Sequence, residues 1–187
     1  MAANHKGLKA AMVIRPASRA DLPGILSIYN EVIATSTAVY AIDPVPLEER
    51  QAWLDGRNAL GYPVLVASED TEILGFSSFG DWRGAWPGYR YTVEHSVHVR
   101  ADRRGVGVGR QLVEGLFPLA LALGKHIMIG GIDADNVSSL KFHEKLGFEA
   151  VGRFREVGNK FGRWLDLIFV QRHLDAPGAR RPESHPS

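Results

Sequence analysis

Apolar positions recur along this 187-residue chain with two different periods, which predict alternating strands and helices. Apolar residues three and four apart predict helices at 22–33, 47–60, 110–123 and 136–146. Their order, interleaved with strands, is that of one α/β domain. Short apolar runs rich in β-branched residues predict the strands at 12–15, 63–67, 73–79, 91–99, 126–132, 148–157 and 164–172.

Start and stop residues support the helix predictions. Ser18 and Asp21 have the spacing of a capping box before the first helix, and Asn136 is a suitable cap for the fourth. Gly124 and Gly147 follow the third and fourth helices, where a helix-ending glycine is common. These signals place the helix ends independently of the apolar period.

The domain is expected to span residues 12–175. Residues 1–11 contain Lys6 and Lys9 but no apolar segment of signal-peptide length, so we expect a loose leader and no export. Residues 176–187 contain several prolines and few apolar residues, which predicts a disordered tail.

Composition and charge exclude several classes of function. The formal net charge is +1, whereas a protein that coats DNA or RNA needs a surplus of lysine and arginine. The chain has no cysteine, so disulfides, thiolate metal sites, iron–sulfur clusters and cysteine nucleophiles are excluded. No apolar run approaches the roughly 18–20 residues that cross a bilayer. We therefore expect a cytoplasmic protein that binds neither nucleic acid nor membrane.

A glycine-rich segment between the predicted strand at 91–99 and the helix at 110–123 is the first candidate site. Alternating glycines let successive amides face one point, where the helix start adds partial positive charge. This favours a phosphate or pyrophosphate ligand, although a flexible turn with solvated arginines has the same composition. The segment lacks the Gly-Lys-Ser/Thr of a P-loop and the glycine spacing of a dinucleotide fingerprint. It comprises Arg104, Gly105, Val106, Gly107, Val108, Gly109 and Arg110.

Two motifs resemble those of the GNAT superfamily of N-acetyltransferases. Arg104-x-x-Gly107-x-Gly109 is similar to the acetyl-coenzyme A signature of that superfamily, and the Asn136 to Phe148 block is similar to its second motif. Shorter blocks resemble the phosphinothricin and methionine sulfone acetyltransferases within it. The resemblance covers residues 12–174, and the shorter blocks are 61–66, 79–83, 91–99 and 158–166.

The chain departs from the wider superfamily at two positions. His143 stands where many members have a tyrosine that acts as general acid, although the phosphinothricin group resembles this chain in having histidine there. His98 stands where tyrosine is common in the strand. We expect little consequence from His98, because the resemblance implies that this segment binds the coenzyme through backbone groups.

The resemblance implies a GNAT fold, a mixed and mostly antiparallel central sheet flanked by helices, whose splayed central strands hold acetyl-CoA. It also implies a homodimer, and direct transfer of an acetyl group from acetyl-CoA, as co-substrate, to the α-amine of a small amino acid or analogue. The implied coenzyme-binding residues are the whole 104–110 segment, Asn136, Ser139 and the backbone of Val97, His98 and Val99.

Two residues are candidates for the proton transfer that acetylation of an ammonium group requires. Glu94 lies in a valine-rich strand, where burial would raise its pKa and make it a general base; the alternative is a carboxylate on a solvated strand face. His143 can give or take a proton near neutrality, and the resemblance favours a catalytic role over a histidine on a helix surface. Acid and base roles for His143 both stay open. His95 and His98 point to opposite faces of the strand, so no metal is expected.

The segment at 82–90 is the candidate acceptor site. Its aromatic residues would form walls, and its arginines could pair with the carboxylate of an amino acid; a packed lid is the alternative. The cation of Lys160 could face sulfonyl or phosphinyl oxygens, and with Phe161 and Trp164 it could come from the partner subunit. The remaining candidates are Trp82, Arg83, Trp86, Pro87, Gly88, Tyr89 and Arg90.

Two other functions remain open from the sequence. A peptide or protein N-acetyltransferase would need an open groove, whereas the bulky 82–90 segment predicts a closed pocket. A non-catalytic acyl-CoA-binding or regulatory domain would keep the 104–110 segment and lose the proton-transfer residues, yet Glu94 and His143 are both present.

Overall fold

The computed structural model describes residues 11–175. The predicted tail and all of the predicted leader except Ala11 lie outside the described residues. The helices are α1 (Leu22–Thr35), α2 (Leu47–Ala59), α3 (Val108–Ala122) and α4 (Val137–Lys145). The strands are β1 (Val13–Pro16), β2 (Val64–Glu69), β3 (Glu72–Asp81), β4 (Thr92–Val99), β5 (Ile127–Asp133), β6 (Glu149–Lys160) and β7 (Arg163–His173).

These seven strands form one sheet in the order β1-β2-β3-β4-β5-β7-β6. Every neighbouring pair is antiparallel except β4 and β5, which are parallel. The predicted fold class is therefore confirmed, and each predicted strand and helix is present. β1 extends one residue past the predicted strand at 12–15, to Pro16, because an edge strand tolerates a residue without an N–H donor.

Helices cover both faces of the sheet. On one face, α1 packs Ile25 and Ile28 against Phe76 of β3. On the other face, α3 packs Leu112 and Leu116 against strands β2 to β5. Because both faces are covered, β2 and β3 are buried at nearly every position instead of at alternate ones.

β4 and β5 separate soon after they pair. Their ladder covers only Thr92–Glu94 against Ile127–Ile129. Beyond Glu94, β4 continues to pair with β3 and β5 with β7, but the two strands no longer pair with each other. The facing edges of 95–99 and 130–133 therefore carry backbone groups outside the ladder, and a cleft opens between them.

α3 begins two residues earlier than the sequence predicted. Gly107, with φ of +92°, makes a turn that L side chains rarely adopt, and the buried Val108 that follows fixes the helix start against the core. A Cβ on Gly109 would lie 3.4 Å from a Val99 methyl and 3.5 Å from the Phe142 ring. Because Gly109 has no side chain, the first turn of α3 packs closely against β4 and α4.

Candidate active site

The cleft between β4 and β5 opens into a cavity of about 80 Å³. Its walls come from the separated strands, from α4 and its cap, and from Ala38 in the loop that joins α1 to α2 (the 36–46 loop). Some predicted site residues lie together in this wall. They are Val97, His98, Asn136, Ser139 and His143.

The 104–110 segment leaves the end of β4 and runs into α3. Gly105 and Gly107 have φ values of +78° and +92°, and no heavy atom lies within 4 Å of the positions their Cβ atoms would take. Arg104 is fixed by a hydrogen bond from its Nε to the Val99 carbonyl at 3.1 Å. Both glycines are therefore open to a ligand, directly before the free N–H groups of a helix start, which favour anions.

α4 presents its cap and His143 to the cleft. Asn136 caps the helix as predicted, because its side-chain oxygen accepts a hydrogen bond from the Ser139 amide at 3.1 Å. The Nδ1 of the buried His143 lies 2.7 Å from the Ser139 carbonyl oxygen. A carbonyl only accepts, so Nδ1 carries the proton and the lone pair is on Nε2. Burial lowers the pKa of His143, which keeps this neutral form at physiological pH.

His95 is a second buried imidazole beside His143, which sequence reasoning considered only as a metal ligand. The two ring centroids are 5.2 Å apart, and a Cβ on Gly130 would lie 3.0 Å from the His95 Nε2. Among the described residues, neither ring nitrogen of His95 has a hydrogen-bond partner. Burial lowers the pKa of His95 to about 3, so the ring is neutral, and His95 is part of the cavity wall.

Glu94 lies at the last paired position before the cleft, opposite Ile129. Its Oε1 lies 3.4 Å from the position that a Cβ on Gly131 would take, so the carboxylate reaches toward β5. Burial raises the pKa of Glu94. Side chains alternate along a strand, so Glu94 and His95 project from opposite faces of β4.

An aromatic row lies beside Glu94. The Trp82 ring packs edge-on against Phe169 of β7 at 5.1 Å, and Phe169 packs against Phe154 of β6 at 5.5 Å. Phe169 also lies 3.6 Å from where a Cβ on Gly131 would stand, next to the carboxylate of Glu94. Trp82 is thus brought to the site, whereas Phe154 and Phe169 were missed because sequence spacing does not show which strand faces the 82–90 segment.

The rest of the 82–90 segment lies outside this row. Trp86 is 63% exposed, and the Arg83 guanidinium lies 5.5 Å from the centroid of the exposed Tyr89 ring. The Arg90 guanidinium lies 4.5 Å from the Tyr91 ring centroid and donates to the Pro87 carbonyl at 3.2 Å. Pro87, Gly88 and Tyr89 form a short exposed 3₁₀ turn. In this chain alone, the predicted closed pocket is therefore not formed by these residues.

Lys160 does not lie where the sequence placed it. Its side chain is buried, with 3% of the residue exposed, and Nζ donates to the carbonyl oxygens of Ser36 at 2.8 Å and Val39 at 2.7 Å. Burial lowers the pKa of Lys160. The ammonium therefore holds the 36–46 loop against β6, and the expected contact with sulfonyl or phosphinyl oxygens is corrected to this structural contact. In the same loop, Thr37 donates to Asp133 in the cavity wall.

Residues 11–175 contain no group of three or more His, Asp or Glu side chains that could hold a metal ion. His98 in particular packs away from His95, against Tyr29 of α1 at 5.7 Å and Phe76 at 5.1 Å. None of the helices described here combines the length and apolar character that a bilayer crossing requires.

Comparison with known families and sequences gives consistent matches. The model described as the Acetyltransferase (GNAT) family matches residues 25–148, a span that includes β4, the 104–110 segment and α4. An L-methionine sulfoximine/L-methionine sulfone acetyltransferase of Pseudomonas paraeruginosa is 52% identical over 163 residues. That alignment covers 87% of this chain and 94% of the relative.

Two solved structures have the same fold over most of their length. A phosphinothricin acetyltransferase of Sinorhizobium meliloti in complex with acetyl-CoA has a TM-score of 0.87 and 34% identity, covering 93% of this chain and 94% of its own. A ribosomal-protein-alanine N-acetyltransferase of Brucella melitensis has a TM-score of 0.84 and 42% identity, covering 86% of this chain and 99% of its own.

The position of Lys160 predicts the effect of its removal. Lys160→Met should lower the free energy of unfolding by about 1–3 kcal/mol, because the Ser36 and Val39 carbonyls lose their buried donor. Urea unfolding measures this change, and Lys141→Met on the exposed surface of α4 is the matched control. Equal stability of the two variants would contradict the structural assignment of Lys160.

Proposed function

Because this chain belongs to the GNAT family of acetyltransferases, we propose that it transfers the acetyl group of acetyl-CoA to the α-amine of a small amino acid or analogue. The observation that carries the proposal is the cleft that opens after Glu94. Ladder-free backbone and His143 line this cleft, Glu94 lies where it begins, and the open glycine segment follows the far end of β4. The names of the Pseudomonas and Sinorhizobium relatives support an acceptor with a tetrahedral, oxygen-bearing side-chain group, as in methionine sulfone or phosphinothricin.

The coenzyme is proposed to lie along β4 and end at α3. The backbone of Val97 to Val99 on the cleft side of β4 would hold the pantetheine arm as an added strand, and an amide near Val97 would stabilise the oxyanion. The pyrophosphate would lie on the 104–110 segment, where Gly105 and Gly107 leave an open cradle that a side chain would fill. Asn136 keeps its amide NH₂ group for the coenzyme, since its oxygen caps α4.

Glu94 is proposed as the general base. Its raised pKa makes it a stronger base than an ordinary glutamate, and its carboxylate lies beside the Trp82–Phe169 row that would hold the acceptor. Glu94 removes one proton from the substrate ammonium and later releases it to solvent. The freed nitrogen lone pair then attacks the carbonyl carbon of the thioester.

His143 is proposed to move the second proton. Its resting form is neutral with a lone pair on Nε2, so it acts first as an acceptor and only then as an acid. It takes a proton from the nitrogen as the C–N bond forms and gives it to sulfur as the C–S bond breaks. The products are the N-acetyl amino acid and the free thiol of coenzyme A.

Carboxylate recognition is proposed for the arginines of the 82–90 segment. Arg83 follows Trp82 directly, and within the described residues its guanidinium makes no hydrogen bond, so its planar donor set can pair with a carboxylate. Arg90 already donates to the Pro87 carbonyl and is the second candidate.

A homodimer is part of the proposal. β6 is an edge strand, and the β6–β7 hairpin exposes a row of large apolar side chains that a second copy could cover. The exposed side chains are Val151, Phe154, Val157, Phe161 and Trp164.

A site of action in the cytoplasm is also proposed, since acetyl-CoA is an intracellular metabolite.

Acetylation of a peptide or protein N-terminus is the second candidate function. It is favoured by the name of the Brucella structure and by the exposure of the 82–90 segment, which does not close a pocket within one chain. The two candidates make different demands on the acceptor, so one assay separates them.

Gly107→Val should weaken acetyl-CoA binding by about tenfold or more, because it strains a left-handed turn and fills the proposed pyrophosphate cradle. Titration calorimetry of the folded variant with acetyl-CoA measures the change. Gly152→Ala in β6 is the matched control, since its Cβ also meets open space but lies outside the segment. Unchanged affinity in Gly107→Val would remove the segment from the coenzyme site.

Glu94→Gln should lower turnover by about 10²–10⁴-fold while acetyl-CoA binding is preserved. In the wild type, kcat/KM falls as pH drops through the pKa of Glu94, and burial places that fall at a higher pH than for an exposed glutamate. The deficit of the variant should shrink as pH rises, because the acceptor amine then deprotonates unaided. Near-wild-type turnover of Glu94→Gln at pH 7 would exclude Glu94 as the base.

Thiol release from acetyl-CoA should be fastest with methionine sulfone, methionine sulfoximine and phosphinothricin. Methionine is the matched acceptor without the tetrahedral oxygens, and an alanine-initiated peptide tests the second candidate. Acetylation of the peptide without acetylation of the free amino acids would overturn the proposed acceptor class and leave the acetyltransferase assignment intact.

A further inference from the structure

The base of the 82–90 segment contains a polar cluster of two buried residues and one exposed carboxylate, which the proposed coenzyme site and proton transfers do not use. Tyr62 and Asp81 belong to two of the sequence blocks that resembled the phosphinothricin group, and Lys125 lies between α3 and β5. Tyr62 and Lys125 are each less than a tenth exposed. We define the three residues as the Lys125 cluster.

One ammonium group joins both ends of the segment. Lys125 Nζ donates to the Arg90 carbonyl oxygen at 2.7 Å and to Tyr62 Oη at 3.0 Å, and it lies 3.6 Å from a carboxylate oxygen of Asp81. Tyr62 in turn donates its hydroxyl proton to Asp81. Asp81 is the last residue before the segment and Arg90 is its last residue, so the cluster closes the segment at its base.

A second cation, the guanidinium of Arg57, lies against Gly80, the residue before Asp81. Gly80 has no side chain, and a Cβ there would lie only 1.8 Å from Nη1 of Arg57. The Arg57 guanidinium therefore occupies the space next to Asp81 that any other residue at position 80 would fill. The Asp81 carboxylate itself is held by the Tyr62 hydroxyl and the Lys125 ammonium.

The closed base determines where Trp82 stands. Trp82 follows Asp81 directly, and its amide donates to the Thr92 carbonyl at 3.3 Å. Its ring then reaches Phe169, beside Glu94. By contrast, Trp86 and Tyr89 in the middle of the segment are exposed, and their amides donate within the segment, to the carbonyls of Arg83 and Trp86. A displacement of Asp81 would therefore also displace the ring of Trp82, which is the aromatic wall of the proposed acceptor site.

We propose that Lys125, acting through Tyr62 and Asp81, is a positioning residue that sets the affinity for the acceptor. It holds the 82–90 segment closed so that Trp82 meets Phe169 at the catalytic carboxylate. This inference rests on the proposed function, because it takes Trp82 as part of the acceptor site. It concerns acceptor binding and not coenzyme binding, since the cluster lies at the opposite end of β4 from the 104–110 segment.

Lys125→Met keeps the apolar stem and removes the ammonium. We expect KM for methionine sulfone to rise by about tenfold or more, while KM for acetyl-CoA changes by less than about twofold. Tyr62→Phe removes only the hydroxyl link and should raise the acceptor KM in the same direction by less. The double variant should show less than the sum of the two effects, because both changes break one network. If Lys125→Met does not fold, Tyr62→Phe carries the test.

Ile25→Val is the control for a general loss of stability, since Ile25 packs in the α1 cluster away from the segment. It should leave the acceptor KM unchanged. An equal rise of both KM values in Lys125→Met, or no rise in either, would overturn the proposal and leave the cluster with a structural role only.

Trypsin tests the closure without any acceptor. Cleavage after Arg83, which is exposed, should be faster in Lys125→Met than in the wild type and in Ile25→Val. Equal cleavage rates in the three proteins would refute closure by Lys125. If the wild type acetylates no amino acid, the proposed function fails, whereas faster cleavage in Lys125→Met would still support the anchoring step.

Discussion

The short parallel ladder between β4 and β5 is the constraint on which the rest of the site depends. Three residues of each strand hold the sheet together at Thr92–Glu94, and the strands then diverge. In a longer ladder, the backbone N–H and C=O groups of β4 beyond Glu94 would be hydrogen-bonded to β5. No free backbone group would then be left for a ligand. Glu94 occupies the point of divergence, so the same feature that frees the backbone also places a carboxylate at the base of the cleft.

The 36–46 loop lines the cleft through Ala38, and the 82–90 segment packs Trp82 against Phe169 beside Glu94. Each of these two loops is held by a lysine that points inward instead of toward solvent. Lys160 donates to two carbonyl oxygens of the 36–46 loop, and Lys125 donates to the last carbonyl of the 82–90 segment. An ammonium with several donors can bind carbonyl groups that no strand or helix satisfies. In both cases the lysine ammonium donates hydrogen bonds to carbonyl oxygens of a loop. These bonds fix an irregular segment in a defined position next to the rigid sheet.

The sequence predicted the elements well because the relevant signals are local. Glycine stops, the Asn136 cap and the apolar periods are each encoded within a few residues. The roles assigned to side chains through resemblance depend on what faces them across the fold. Lys160 was misplaced because its partners are 124 and 121 residues away in the chain, and Phe169 was missed because β7 meets the 82–90 segment only in three dimensions.

His95 and His98 were visible in the sequence, but their burial was not. Strand alternation places them on opposite sides of β4, which excludes a shared metal, yet it does not show that both rings lie inside the protein. Burial lowers the pKa of His95 to about 3, that of His98 to about 4, and that of His143 as well. In an unfolded chain the same imidazoles would titrate at about pH 6.5. Below that pH the unfolded state binds protons that the folded state does not, so the free energy of unfolding decreases as pH falls from about 6.5 toward the folded pKa values. The neutral imidazoles packed around the cleft therefore make the fold progressively less stable in acid.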